Sequence, residues 1–214
     1  MRDRLFINRE EAGGLLAEKL EKYRGTDAII LAVPRGGVTI GYEIAKKLEL
    51  PLDIVLSKKI GHPENEEFAV GSVSLDSAIV NKYAGMPKGY IEKEITRIRK
   101  ELKQKYALFM GDRQPIDITN KTIIVVDDGI ATGSTLLATI DMLRKNNPAK
   151  LVIAVPVVPQ SNVGIINMSA DEFIYLSAPA HFSGVGGFYE NFEQVSDEEV
   201  VHMLNEINKV NHEH

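Results

Sequence analysis

The chain has 214 residues, 44% hydrophobic and 26% charged, which is ordinary globular composition and enough length for one substantial core. A net charge of -5 and a pI near 5.6 give no overall attraction to a polyanion, so no nucleic-acid partner is expected and a small-molecule ligand is favoured. With no cysteine, disulfides, thiol nucleophiles and thiolate metal sites are excluded. Met1 to Asn8 lacks a signal-peptide core and no apolar run is long enough for a bilayer, so a cytoplasmic location without membrane contact is expected.

Asn8-Arg9-Glu10-Glu11 reads as an N-cap with a capping-box glutamate, and Leu15, Leu16, Leu20 and Tyr23 recur at helical spacing until Gly25. Ala28 to Val33 is a continuous apolar run ending in Pro34-Arg35-Gly36-Gly37, after which Ile40, Ile44 and Leu48 mark a second helix. Leu52 to Leu56 is a second buried strand. The polar run Ser57 to Glu67, with Lys58, Lys59, Gly61, His62 and Pro63, reads as a mobile loop. Val70 to Val80 suits one or two short strands turning at Asp76-Ser77. From Tyr90 to Phe109 the apolar residues step by three and four, predicting a long one-sided helix that stops at Gly111.

Ile123 to Val126 then reads as a buried strand feeding Asp127-Asp128-Gly129, and Leu136, Leu137, Ile140 and Leu143 continue as a helix stopped by Asn146-Asn147-Pro148. Leu151 to Val157 and Phe173 to Leu176 supply two more strands around a short helix from Ser161 to Met168. Ser196-Asp197-Glu198-Glu199 is a second capping box. The alternation implies an α/β fold, a mainly parallel sheet flanked by helices on both faces. No repeat or composition break divides residues 1–214, so a single domain is expected.

In such sheets ligands collect where strand ends lead into helix starts, whose free N–H groups face anions. Gly129 and Gly133 allow close backbone turns, so amides from Ala131 to Thr135 and the hydroxyls of Thr132, Ser134 and Thr135 can surround one phosphate. Asp127 and Asp128 would repel that phosphate, and so must serve sugar hydroxyls, a divalent cation, or both. A ribose 5-phosphate has both features. A Walker loop would need lysine before the Ser/Thr, but Gly133 is followed directly by Ser134-Thr135. A receiver-domain acid pair would follow the first strand and would lack the Gly-Ser-Thr loop.

Four apolar residues, Asp127-Asp128, two further residues and Ala131-Thr132-Gly133-Ser134-Thr135 resemble the phosphoribosyl diphosphate (PRPP) signature of type I phosphoribosyltransferases. It departs at Ser134, where many members have Gly or Lys, and at Gly129, where an apolar residue is commoner. The resemblance implies transfer of the phosphoribosyl group from PRPP to a nitrogen acceptor, a nucleobase in salvage-type nucleotide metabolism, with Mg2+. Asp127 and Asp128 would be the catalytic and metal-facing acids, and Ala131 to Thr135 the 5-phosphate loop. Arg35, Gly36 and Gly37 would hold the pyrophosphate, with Lys58 or Lys59 on a loop that folds over it; a solvated charge run is the alternative for each lysine. It also implies a C-terminal hood, about 177–214 with its helix, in which Phe182, Phe188 or Tyr189 either stacks on the acceptor base or plugs the core.

The helical segment at about 86–112 would be an insertion relative to the smallest members, and its apolar stripe, if exposed, would suit a homodimer. The acidic residue common at the place of Ala131 in 6-oxopurine enzymes is absent, which argues against that acceptor class. Two other readings of the same motif are a non-catalytic PRPP sensor and a Mg-dependent phosphate-ester hydrolase.

Overall fold

The apolar runs fold as the strands of one parallel sheet. A computed structural model describes residues 6–81, 87 and 89–210. β1 (Ile29–Ala32), β2 (Leu52–Ile54), β6 (Thr122–Val126), β7 (Lys150–Val157) and β8 (Glu172–Ser177) form it in the order β2-β1-β6-β7-β8. Every neighbouring pair is parallel, and Ile30 lies opposite both Leu52 and Ile124.

Successive strand residues point to opposite faces, and the two faces carry different helices. Ile30, Ala32, Ile124, Val126, Val152 and Ala154 pack with α1 (Arg9–Lys19), α2 (Gly36–Leu48) and α6 (Asp197–Val210), whereas Ile29, Leu31, Ile123, Val125, Leu151 and Ile153 pack with α4 (Ser134–Arg144) and α5 (Gln160–Ser169). Burial on both faces explains why these strands read as continuous apolar runs without alternation. Each fully buried Ile, Leu or Val contributes roughly 1.5–3 kcal/mol, so a charge at Ile124, which is 0% exposed at the centre of the sheet, would remove that and add an unpaired ion.

Both predicted capping boxes form, one in altered geometry. Ser196 Oγ accepts from Glu199 N at 3.1 Å while Glu199 Oε2 accepts from Ser196 N at 2.7 Å. At α1, Asn8 Oδ1 accepts from Glu11 N at 2.9 Å, but Glu11 Oε2 reaches one residue further back, to Ile7 N at 2.7 Å.

The run from Ser57 to Glu67 departs from expectation. It is paired rather than a loop: β3 (Ser57–His62) runs antiparallel to β4 (Asn65–Ser74), which pairs with β5 (Ala78–Val80). The pattern is masked because burial does not alternate along these strands: Lys58 and Lys59 are both exposed while Ile60, Val70 and Val73 are fully buried, and the ladder shifts register after Ile60. The turn at Asp76-Ser77 is as expected, tied by Ser74 Oγ donating to Asp76 Oδ1 at 2.9 Å.

The long helix forms as α3 (Tyr90–Met110), but its stripe is not exposed. Ile98, Leu102, Tyr106 and Phe109 are buried against α6 and the three-stranded sheet, which removes the sequence argument for a homodimer. Tyr106 Oη donates to Asp53 Oδ1 at 2.9 Å and Tyr90 Oη to the Gly61 carbonyl at 2.8 Å, fixing α3 to β2 and to the hairpin. Residues 86 and 88 of the expected insertion lie outside the described residues. Among the described residues no helix is long and apolar enough to cross a membrane.

Candidate active site

The chain leaves β1 through α2 toward β2 on one side, while β6 lies on the other side of β1. The strand order therefore reverses between β1 and β6, the crevice where open α/β sheets take ligands. The two loops singled out in the sequence, Pro34 to Gly37 after β1 and Asp127 to Thr135 after β6, meet there. They touch through glycine: a Cβ on Gly37 would lie 2.9 Å from the Val126 carbonyl and 3.0 Å from Asp127 Cα. The Pro34–Arg35 peptide is cis.

Residues 131–135 are arranged as a helix start without a side-chain cap. Gly133 is the N-cap of α4 at φ 79°, a left-handed conformation that favours glycine, and no side chain bonds the first amides. Ala131, Thr132, Ser134 and Thr135 are exposed. The Thr132 and Ser134 hydroxyls lie 3.1 Å apart, and Asn162 Nδ2 steadies the loop by donating to the Ala131 carbonyl at 2.9 Å. Free N–H groups, hydroxyls and the positive helix end converge on one open spot.

The acids sit behind this loop, both partly buried. Asp127 Oδ1 accepts from Asp128 N at 2.8 Å, and Asp128 Oδ2 accepts from Arg9 Nε at 2.8 Å. Burial, with the charge of Asp128 beside it, holds the Asp127 carboxyl well above the ordinary carboxylate range. Burial also raises Asp128, while the hydrogen bond and charge of Arg9 pull it back.

The residues Arg35 to Gly37 form the turn from β1 into α2. Gly36 and Gly37 open α2, and Arg35, a third exposed, pairs with Asp197 of α6 at 3.5 Å. Lys58 and Lys59 line a cleft of about 570 Å3 together with Ser134 and Thr135, so the hairpin lysines and the start of α4 share one opening. Lys58 Nζ is held by Glu101 of α3 at 2.8 Å. Thr139 connects the two walls: its hydroxyl donates to the Thr135 carbonyl at 2.9 Å and lies 3.0 Å from Ser57 Oγ.

The hood aromatics divide. Phe188 and Tyr189 are 7% and 6% exposed, so of the two alternatives they take the core one. The Tyr189 ring lies between Phe6 and Phe192, at 5.4 and 4.9 Å, and its hydroxyl donates to the Asp128 carbonyl at 2.6 Å. Burial and the Asp128 charge raise that phenol, keeping it a donor. Phe182 alone keeps a partly open face, stacked on Phe188 at 5.4 Å. Val185 fills the space a side chain at Gly129 would take, since a Cβ there would meet it at 2.6 Å.

Sequence reasoning missed Arg9, reading it as part of a cap. One signal was available. A cation at the first position of a helix opposes the helix dipole, and a break of a local rule without local gain points to a function elsewhere.

Two glycine-bearing strand-to-helix loops and an acid pair thus meet at the switch point of a parallel α/β sheet. The phosphoribosyl transferase domain model matches residues 2–190, nearly the whole chain, and the chain belongs to that family. It is 35% identical over 206 residues to a Mycobacterium tuberculosis protein named "Putative phosphoribosyl transferase", covering 94% of this chain and 46% of that one, so the chain spans about half the length of that relative. A Bacillus cereus bifunctional protein PyrR is 31% identical over 143 residues, 64% of this chain and 62% of that protein. Among solved structures, TT1426 from Thermus thermophilus superimposes with a TM-score of 0.84 at 35% identity, covering 94% of this chain and 98% of that one. A Bacillus anthracis hypoxanthine-guanine phosphoribosyltransferase shares the fold at 15% identity, with a TM-score of 0.51 over 89% of this chain and 95% of that one.

Proposed function

We propose that the chain transfers the 5-phosphoribosyl group of PRPP to a nitrogen of a flat heterocyclic base. The observation that carries this is the exposed, uncapped start of α4 beside the acid pair, with the glycine loop of α2 in contact. Residues 131–135 hold the 5-phosphate through amides and hydroxyls. Asp127 and Asp128 take the 2- and 3-hydroxyls. Arg35, the amide at Gly36, and Lys58 and Lys59 take the diphosphate, while Gly37, whose own N–H is bonded to the Val33 carbonyl, gives the loop its close approach to Asp127. Phe182 offers the acceptor a ring face.

The bond from C1 to the diphosphate oxygen breaks, and pyrophosphate leaves with the electron pair. A lone pair on the acceptor nitrogen forms the new bond to C1, and its proton passes to solvent. The protein contributes alignment and charge stabilisation of an oxocarbenium-like state.

The acid pair also fits a magnesium ion in part. Among the described residues no group of three metal-ligating side chains exists, but Mg2+ commonly takes one or two carboxylates and fills its shell with water and substrate phosphates. Asp127 and the Asp128 oxygen not used by Arg9 would hold it, and the ion would neutralise charge on the diphosphate.

Calorimetry with PRPP and Mg2+ tests the assignment. Asp128→Asn combined with Thr132→Ala abolishes binding while the thermal transition survives; unchanged affinity refutes the site. Adding a panel of bases and following pyrophosphate separates an enzyme, in which release depends on the base, from a sensor that binds PRPP without releasing pyrophosphate.

A further inference from the structure

We propose that Arg9 is a positioning residue for the acid pair, clamped from behind by Phe192 and Glu193 so that Asp128 presents one fixed carboxylate oxygen to the sugar. The inference rests on the PRPP reading above. Arg9 is 9% exposed and contributes nothing favourable to the start of α1, where a cation opposes the helix dipole. Its guanidinium is instead held on three sides. Nε donates to Asp128 Oδ2 and Nη1 to the Glu193 carbonyl, each at 2.8 Å, and Cζ lies 3.8 Å from the centroid of the Phe192 ring.

A stacked, forked and buried guanidinium has little freedom left, so it dictates the rotamer of the carboxylate it grips. The Asp128 main chain is fixed independently by Tyr189 Oη. Gly36 closes the arrangement from the pyrophosphate side: a Cβ there would lie 1.9 Å from Asp128 Oδ2 and 2.9 Å from Arg9 Nε. Arg9 also offsets one of two adjacent negative charges at the place a polyanionic substrate must approach. Phe192 and Glu193 follow the stretch 2–190 that matches the family model, so the clamp is built by residues outside the matched segment.

The test is PRPP affinity by calorimetry with Mg2+, together with steady-state KM and kcat, for Arg9→Ala, Arg9→Lys and Phe192→Leu. Partners behind metal-ligating side chains typically govern about 10–100-fold in affinity or activity, and with Arg9 in the same relation to Asp128, Arg9→Ala is expected to weaken PRPP by at least about tenfold. Arg9→Lys recovers part of this, because an ammonium restores the charge without the fork. In an Asp128→Asn background Arg9→Ala adds little, since it acts through that carboxylate.

A purely structural Arg9 gives a lower melting temperature with unchanged PRPP affinity, or a full additive effect in the Asp128→Asn background; either result overturns the proposal. If Arg9→Ala does not fold, Phe192→Leu keeps the guanidinium and removes its platform, and unchanged PRPP affinity in that variant also refutes the clamp. Wild-type protein that fails to bind PRPP would instead overturn the functional reading, and this inference with it.

Discussion

Gly36 offers a sharp test of how the two loops pack, because its neighbours rather than its backbone angle forbid a side chain. Its φ lies outside the left-handed region, so alanine is conformationally acceptable there. The added Cβ would sit 1.9 Å from Asp128 Oδ2 and 2.6 Å from its Cγ, whereas real Cβ contacts essentially never fall below 3.0 Å. The carboxylate must withdraw by at least about 1 Å, and its 2.8 Å bond to Arg9 breaks. A hydrogen bond to a charged group is worth about 1.5–3 kcal/mol. For a chain of this size each kcal/mol moves Tm by about 2–4 °C, so Gly36→Ala is expected to lower Tm by roughly 3–12 °C and to weaken PRPP binding. Gly164 in α5, with nothing within 4 Å of a built Cβ, is the control: alanine there stabilises by about 0.5–1 kcal/mol through backbone entropy. Differential scanning calorimetry of both variants reads the contrast. If both melt above wild type and Gly36→Ala keeps its PRPP affinity, the described packing of loop against acid is wrong.

Two further outcomes concern the scaffold. Glu172 is approached by Lys150, Lys22 and Tyr23; burial alone would raise it, but these partners win and bring it down to about 2. A depressed carboxyl stabilises the fold above its unfolded value of 4.5, and that contribution is lost as pH falls toward about 2. Glu172→Gln is therefore less stable than wild type at neutral pH, and urea melts at descending pH show the gap closing between those two values. Asp53 is buried and accepts from Ile54 N, Tyr106 Oη and Ile116 N. Asp53→Asn turns one acceptor into a donor facing another donor and costs about 1–3 kcal/mol. Because burial raises Asp53, wild type gains stability relative to this variant as pH drops through that raised pKa, opposite in sign to the Glu172 case.

The parts legible in the sequence were those specified by neighbours along the chain. β1, β6 and β7 announce themselves as unbroken apolar runs because both sheet faces are covered, and the loops after β1 and β6 carry their glycines, hydroxyls and acids within a few residues. The hairpin was hidden: burial does not alternate along it, and the exposed Lys58 and Lys59 imitate a loop. The α3 periodicity gave the helix but not its partner, since nothing local says whether a stripe meets a second copy or the chain's own α6. Tyr189 was left between two roles, and Arg9 was read as part of a cap, for the same reason. The hydroxyl of Tyr189 finds a carbonyl 61 positions away, and Arg9 finds its carboxylate 119 positions on.

The first described residues are stitched to the segment around the short turn Val185–Phe188: Phe6 N donates to the Phe188 carbonyl, while Glu190 N and Asn191 N donate back to the Phe6 and Ile7 carbonyls. All five strands of the parallel sheet lie between Ile29 and Ser177, so the sheet can pair before Phe192 and Glu193 dock against Arg9. Until that seam closes the guanidinium lacks its backing, so the crevice is completed by segments that meet from opposite parts of the fold.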